Sequence, residues 1–106
     1  MNDDDLVAAL KAVAHPVRLR ILQTLSGAER NVGEIDDAAE IGQPTLSQQL
    51  AVLRGAGLVA TRKDAKLVYY RIDETKLGHV TAALAQFAGE AVGSEAPGVA
   101  NFAQLG

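Results

Sequence analysis

The sequence contains no cysteine. That absence excludes disulfides, zinc ribbons, thiolate metal sites and thiol redox switches from this chain. Histidine is scarce too, with two residues, His15 and His79, and there is no glycine-rich phosphate loop. Without a paired nucleophile and base or a phosphate cradle, no catalytic constellation can be assembled, and an enzyme is the least expected class. No apolar run is long enough to span a bilayer, and the N-terminal MNDDD is acidic where a targeting peptide is basic. The expectation is a bacterial-type cytoplasmic protein with no cofactor and no metal.

Positive charge is in short supply overall but concentrated in one place. The chain of 106 residues carries a net charge of −3, yet residues 41 to 72 hold five basic side chains and one acidic. Residues 1 to 40 hold four basic and eight acidic, and residues 73 to 106 hold one and four. A locally basic block in an acidic protein marks where phosphates would lie, although a solvated face without a partner would look the same. The length fits one domain that buries about 60 to 70 per cent of its unfolded surface as a monomer, so self-association would help it. Residues 1–93 are expected to form that domain and residues 94–106 a tail.

The basic block begins with QPTLSQQLAVLRGAGLV, residues 43 to 59, which reads as a helix opened by a proline and closed by a glycine. Leu46, Leu50 and Leu53 recur at i, i+4 and i+7 and form one apolar stripe. Thr45, Gln48 and Gln49 fall roughly opposite, flanked by Arg54. Glutamine carries a donor and an acceptor that pair in a bidentate way with adenine, so this face suits base edges in a DNA groove. An ordinary solvated helix face is the plain alternative.

Around this helix the pattern is mostly helical. Asn2 or a neighbouring aspartate caps a first helix with Leu6, Val7, Leu10, Val13 and Ala14 on one side, up to the junction at His15. Pro16 opens a second helix with Val17, Ile21, Leu22 and Leu25 inward, and Gly27 stops it. Residues 31 to 41 read as a short third helix capped near Asn31 or Gly33, packing Val32, Ile35 and Ile41 and ended by Gly42. A short helix, a tight turn and an amphipathic helix make a helix-turn-helix. From Leu58 the period becomes alternating, giving a hairpin with a charged tip at Lys63-Asp64-Ala65-Lys66 that lacks the usual tight-turn dipeptides. Asp73 caps a last helix over about residues 74 to 92, with Leu77, Val80, Thr81, Leu84, Phe87, Ala88 and Ala91 on a small-residue face. With the first helix, that face is the expected dimer surface, the alternative being that it only covers its own domain. Val99, Phe102 and Leu105 of the tail are candidate latches onto the body or a partner subunit.

HPVRLRIL at residues 15 to 22, IGQPTLSQQLAVLRGAGLVATRK at 41 to 63 and LVYYRI at 67 to 72, in that order, resemble the ArsR family of bacterial winged helix-turn-helix repressors. The resemblance covers residues 6 to 92. It implies a mainly α (α+β) fold of four helices, a β-hairpin and a fifth helix, and a homodimer formed through the first and last helices. It also implies binding to an inverted repeat in double-stranded DNA. Carried over position by position, it makes Gln43, Thr45, Ser47, Gln48 and Gln49 candidates for base or phosphate contact, with Arg54 beside them. Arg62, Lys63 and Lys66 match the wing, where they would straddle phosphates or enter the minor groove. Ser47 lies away from the glutamine face, so backbone phosphate or simple packing suits it better. Tyr69 and Tyr70 are expected to support the hairpin rather than stack on bases, and Arg18 and Arg20 to pair with acidic neighbours.

The resemblance does not supply a switch. The position of the reactive cysteine in the family's sulfur-sensing branch is Gln23, and the zinc sensors' last-helix ligands fall on Glu74, Lys76, Phe87 and Glu90. Lysine and phenylalanine do not serve that site, so a non-thiol, non-metal inducer, or none, is expected. Two other readings stay open. One is a metal-responsive regulator in which His79 of one subunit meets Glu90 of the other. The other is a winged-helix module that binds protein.

Overall fold

The computed structural model describes residues 1–89. Five helices surround a leucine-rich core and a three-stranded sheet covers one edge of it. Helix α1 (Asp3–Val13) starts at Asn2, whose Oδ1 accepts the Asp5 N–H at 2.8 Å, with three aspartates in the first turn where the helix dipole favours them. Ala9 and Ala12 are buried and Leu6, Leu10 and Val13 are packed half-buried against the core. Helix α2 (Pro16–Leu25) is capped by His15, whose Nδ1 accepts the Val17 N–H at 3.1 Å. That gives the junction histidine a physical role, since proline at N1 provides no N–H of its own. Ile21, Leu22 and Leu25 are buried, and Gly27 at φ 72° turns the chain away.

A two-residue strand β1 (Arg30–Asn31) comes next, followed by α3 (Val32–Ala39). Asn31 closes the strand and opens the helix through a capping box: its Oδ1 accepts the Glu34 N–H at 2.9 Å, and Glu34 Oε1 accepts the Asn31 N–H at 2.9 Å. Helix α4 (Thr45–Gly55) ends in a turn where Gly57, at φ 75°, lets the Leu58 N–H return to the Leu53 carbonyl at 3.0 Å. Strands β2 (Val59–Asp64) and β3 (Leu67–Ile72) form the hairpin, and the antiparallel sheet order is β1-β3-β2. Helix α5 (Glu74–Ala85) opens on Asp73, whose Oδ1 accepts the Lys76 N–H at 3.0 Å. The Asp73 N–H bonds the Leu58 carbonyl at 2.9 Å and so closes the base of the hairpin.

The winged helix-turn-helix order expected from the sequence is present, with six departures, the first being that α4 covers Thr45–Gly55 and not residues 43 to 59, because Gly57 turns the chain and Val59 already belongs to β2. Strand β1 was not anticipated, because two residues carry no period; it exists because Arg30 and Asn31 lie opposite Tyr70 and Tyr69 of β3. Helix α3 stops at Ala39 rather than Gly42, with Glu40 at φ 54°; Asp36 Oδ1 then accepts the Gly42 N–H at 2.7 Å and sets the turn into α4. The hairpin tip is the two residues Ala65-Lys66, not four, with Ala65 at φ 55°. Val7 is 48% exposed, so the first-helix stripe is centred on Ala9 rather than Val7. Helix α5 ends at Ala85, which puts Phe87 and Ala88 beyond it. Ala91, Glu90, the boundary at residue 93 and the tail residues Val99, Phe102 and Leu105 lie outside the described residues.

Helix α4 is fixed by its leucines, of which Leu46, Leu50 and Leu53 are at most 1% exposed. Leu50→Ala is expected to lower stability by about 2–5 kcal/mol in urea unfolding at fixed protein concentration. Val52→Ala, at a site 43% exposed, should cost about 0.5 kcal/mol or less. Equal costs would contradict this orientation of the helix.

Candidate nucleic-acid interface

Burial of the three leucines leaves one side of α4 to solvent. Thr45, Ser47, Gln48 and Arg54 are exposed, as is Gln43 just before the helix. Pro44 occupies the cap position and provides no side-chain hydrogen bond. Gln43 supplies it instead: its Oε1 accepts from the Ser47 N–H at 3.2 Å and from Ser47 Oγ at 2.7 Å. One of the orphan donors of the first turn is thereby satisfied. Gln43 and Ser47 are thereby tied to each other. Gln48 and Thr45 make no side-chain hydrogen bond among the described residues. They are the part of the face that meets solvent uncommitted.

Gln49 differs from its neighbour. It is half-buried, and its Oε1 accepts a hydrogen bond from Arg18 Nη1 at 2.8 Å. Arg18 is expected from sequence to meet an acidic neighbour, and it does not. Its Nε donates to the Ala12 carbonyl at 2.6 Å and its Nη2 to the Lys11 carbonyl at 3.3 Å, both at the C-terminal end of α1. Arg20 likewise meets no carboxylate and donates to the Ala39 carbonyl at the end of α3, at 3.3 Å. Arg30 donates to the Thr24 carbonyl near the end of α2, at 3.0 Å. Three arginines therefore serve the unpaired carbonyls at three helix ends, where the dipole also favours a cation. The sequence gives no sign of this, because the carbonyls that attract them belong to residues of any type.

The wing carries the remaining candidates. Arg62 lies opposite Tyr69 in the hairpin, with its guanidinium 4.7 Å from the centre of that ring. Glu29, from the loop before β1, clasps it: Oε1 accepts from Nε at 2.8 Å and lies 2.7 Å from Nη2, while Asp64 Oδ2 is 3.7 Å from Nη1. The clasp joins the wing to the body of the fold across 33 residues of sequence, which is why no local pattern reveals Glu29. Lys63 and Lys66 are exposed and form no ion pair among the described residues. Tyr70 packs half-buried against the core and Tyr69 backs Arg62, so both tyrosines support the hairpin.

No group of three His, Cys, Asp or Glu side chains able to hold a metal occurs among the described residues. His79 is exposed on α5, and Glu90 lies outside the described residues.

The Arg62 hydrogen bond, and after it the charges of Arg62 and Arg71, hold the Glu29 carboxyl below its ordinary value of 4.5. A depressed carboxylate contributes to stability above the unfolded value, and the contribution is lost as pH falls through the folded one. The clasp is therefore closed at neutral pH and opens in acid. A carboxyl-resolved NMR titration is expected to place the Glu29 midpoint below 4.5, and Arg62→Gln to move it upward. A midpoint that ignores the substitution would contradict the clasp.

The chain is similar to known proteins. A helix-turn-helix domain family matches residues 13–62. The biofilm growth-associated repressor of Xylella fastidiosa is 46% identical over 81 residues, 76% of this chain and 71% of that protein. The transcriptional activator HlyU of Vibrio cholerae is 45% identical over 76 residues, 72% of this chain and 70% of that protein. The crystal structure of the repressor BigR from Xylella fastidiosa superposes with a TM-score of 0.65 at 44% identity, covering 79% of this chain and 86% of that one. Being 46% identical to a repressor it covers to 71% and superposing on BigR with a TM-score of 0.65, the chain belongs to the ArsR family of winged helix-turn-helix transcriptional regulators.

Proposed function

We propose that this regulator is a cytoplasmic homodimeric repressor that binds an inverted-repeat operator, with α4 in the major groove and the wing on the flanking backbone. The observation that carries the reading is the exposed, uncharged Thr45 and Gln48 face of α4, held outward by a fully buried leucine seam, with Arg54 exposed on the same helix and Lys63 and Lys66 exposed at the hairpin tip. A two-fold dimer sets two such helices about 34 Å apart, one turn of DNA, so each reads half of a near-palindrome. Lysines fix register on phosphates, and Gln48 chooses among bases.

Dimerisation is supported by what α1 and α5 leave uncovered. Phe87 is 81% exposed, Val7 48% and Leu84 40%. Leu6, Ala82, Ala83 and Phe87, together with polar Asn2, Asp3, His79 and Gln86, line a groove of about 440 Å³ between the two helices. Apolar surface of this kind on a small domain is the kind that a second copy buries. Occupancy of a promoter by the dimer would exclude polymerase. Relief of that block falls to an inducer that is neither thiol-reactive nor a metal, or to none, since the sulfur-sensing position is Gln23 and the zinc-ligand positions include Lys76 and Phe87.

Gln48→Ala is expected to weaken binding to a preferred site by about 1–3 kcal/mol and to leave shuffled DNA unaffected. Lys63→Ala and Lys66→Ala should each reduce the salt dependence by about one unit of slope on every sequence alike. Fluorescence anisotropy titrations from low to moderate salt separate the two effects. A uniform loss on all DNA with Gln48→Ala would remove the residue from base recognition.

A further inference from the structure

By sequence Arg62, Lys63 and Lys66 are equivalent cations of the wing; in the folded domain they are not. Lys63 and Lys66 are exposed and form no ion pair among the described residues. The Arg62 side chain, also exposed, is bordered on three sides. Glu29 Oε1 accepts from Nε at 2.8 Å and lies 2.7 Å from Nη2, Asp64 Oδ2 stands 3.7 Å from Nη1, and the Tyr69 ring centre is 4.7 Å from the guanidinium carbon. One cation thus faces two carboxylates. Arginine takes a phosphate through parallel N–H groups along one edge. The Nε and Nη2 pair is such an edge, and Glu29 already fills it with an anion.

We infer that Glu29 stands in for a phosphate on Arg62, keeping Arg62 out of the DNA contacts as a positioning residue of the wing and leaving Lys63 and Lys66 to meet the backbone. The inference rests on the proposed docking of the wing on DNA. Counterion release rewards each phosphate that a protein cation neutralises, and a cation already neutralised has little to add. A phosphate arriving at Arg62 would either displace Glu29 or share the guanidinium with Glu29 and Asp64. Displacement exchanges one anion for another and leaves a bare carboxylate beside the DNA; sharing crowds like charges together. Neither adds a net contact. Arg71 attracts Glu29 through charge alone and leaves the clasp closed. An exposed ion pair of this kind adds little to stability, so its larger consequence is which cations the DNA meets.

The test is fluorescence anisotropy of the full-length protein on duplex DNA from upstream of its own gene and on a shuffled duplex, from about 50 to 200 mM salt. Wild type is compared with Glu29→Gln, with Glu29→Gln combined with Arg62→Gln, and with Glu74→Gln. All three positions are exposed, so the core is untouched. Glu29→Gln frees the guanidinium and should tighten binding to both duplexes with a salt slope steeper by about one unit, an advantage that shrinks about three- to fourfold across that range. Adding Arg62→Gln should return the slope to the wild-type value. Glu74 lines the same cleft as Glu29 and forms no ion pair with Arg62 among the described residues, so Glu74→Gln removes the same charge and should leave the slope unchanged. A double variant with a slope shallower than wild type by about one unit would make Arg62 a phosphate contact in spite of Glu29 and overturn the inference. So would no gain from Glu29→Gln, or an equal gain from Glu74→Gln, which net charge alone would explain. Those results leave the DNA-reading function standing as long as wild type prefers the upstream duplex. If wild type bound no DNA, that function would fail, and this inference with it.

Discussion

The buried seam of Leu46, Leu50 and Leu53 is the constraint on which the rest of the molecule depends, because it fixes which side of α4 meets solvent. Ile21, Leu22 and Leu25 of α2 and Ile35 of α3 complete the same core. A helix of 3.6 residues per turn with one side so anchored has no rotational freedom left. Thr45 and Gln48 therefore point outward at a defined angle without any bond of their own to hold them. The turn set by Asp36 and the cap supplied by Gln43 fix where the helix begins, and Gly57 fixes where it ends. Thr45 and Gln48 thus keep their own hydrogen-bonding groups uncommitted, whereas Gln43, Ser47 and Gln49 do not.

Charge follows a similar division of labour. Of six arginines, Arg18, Arg20 and Arg30 serve helix-end carbonyls and Arg62 is clasped by Glu29. These four shape the domain more than its long-range field. Of the other cations, Arg54 lies on α4 and Lys63 and Lys66 on the wing, while Lys11, Arg71 and Lys76 lie on α1, β3 and α5, on a protein of net charge −3. Clasping Arg62 to Glu29 steadies the wing relative to the helix-turn-helix, and the ring of Tyr69 underlies the same guanidinium.

Most of the architecture was legible in the sequence. The periodic leucines, Asn2 and Asp73 as caps, His15 at a helix junction, the change from helical to alternating period at Leu58 and the family resemblance each point to the element that forms. Contacts between residues far apart in sequence were not legible. Glu29 meets Arg62 across 33 residues and Arg18 meets Gln49 across 31, and in neither case does a local pattern indicate the partner. The sequence placed Gln49 beside Gln48 as an equivalent reader; the structure separates them because the side of α4 nearest α2 brings an arginine within reach of one and not the other. Arginine partners were misjudged for a related reason, since charge complementarity looks for carboxylates and the helix-end carbonyls that bind Arg18 and Arg20 are invisible in composition.

The measurement that bears most directly on this account is fluorescence anisotropy of the purified protein with duplex DNA from upstream of its own gene, against a shuffled duplex of equal composition, across several salt concentrations and with a chelator present. The account predicts tight, salt-dependent binding to the upstream duplex, with two chains per duplex, much weaker binding to the shuffled one, and no change on chelation. Equal binding to both duplexes, or selectivity that disappears with the chelator, would contradict it.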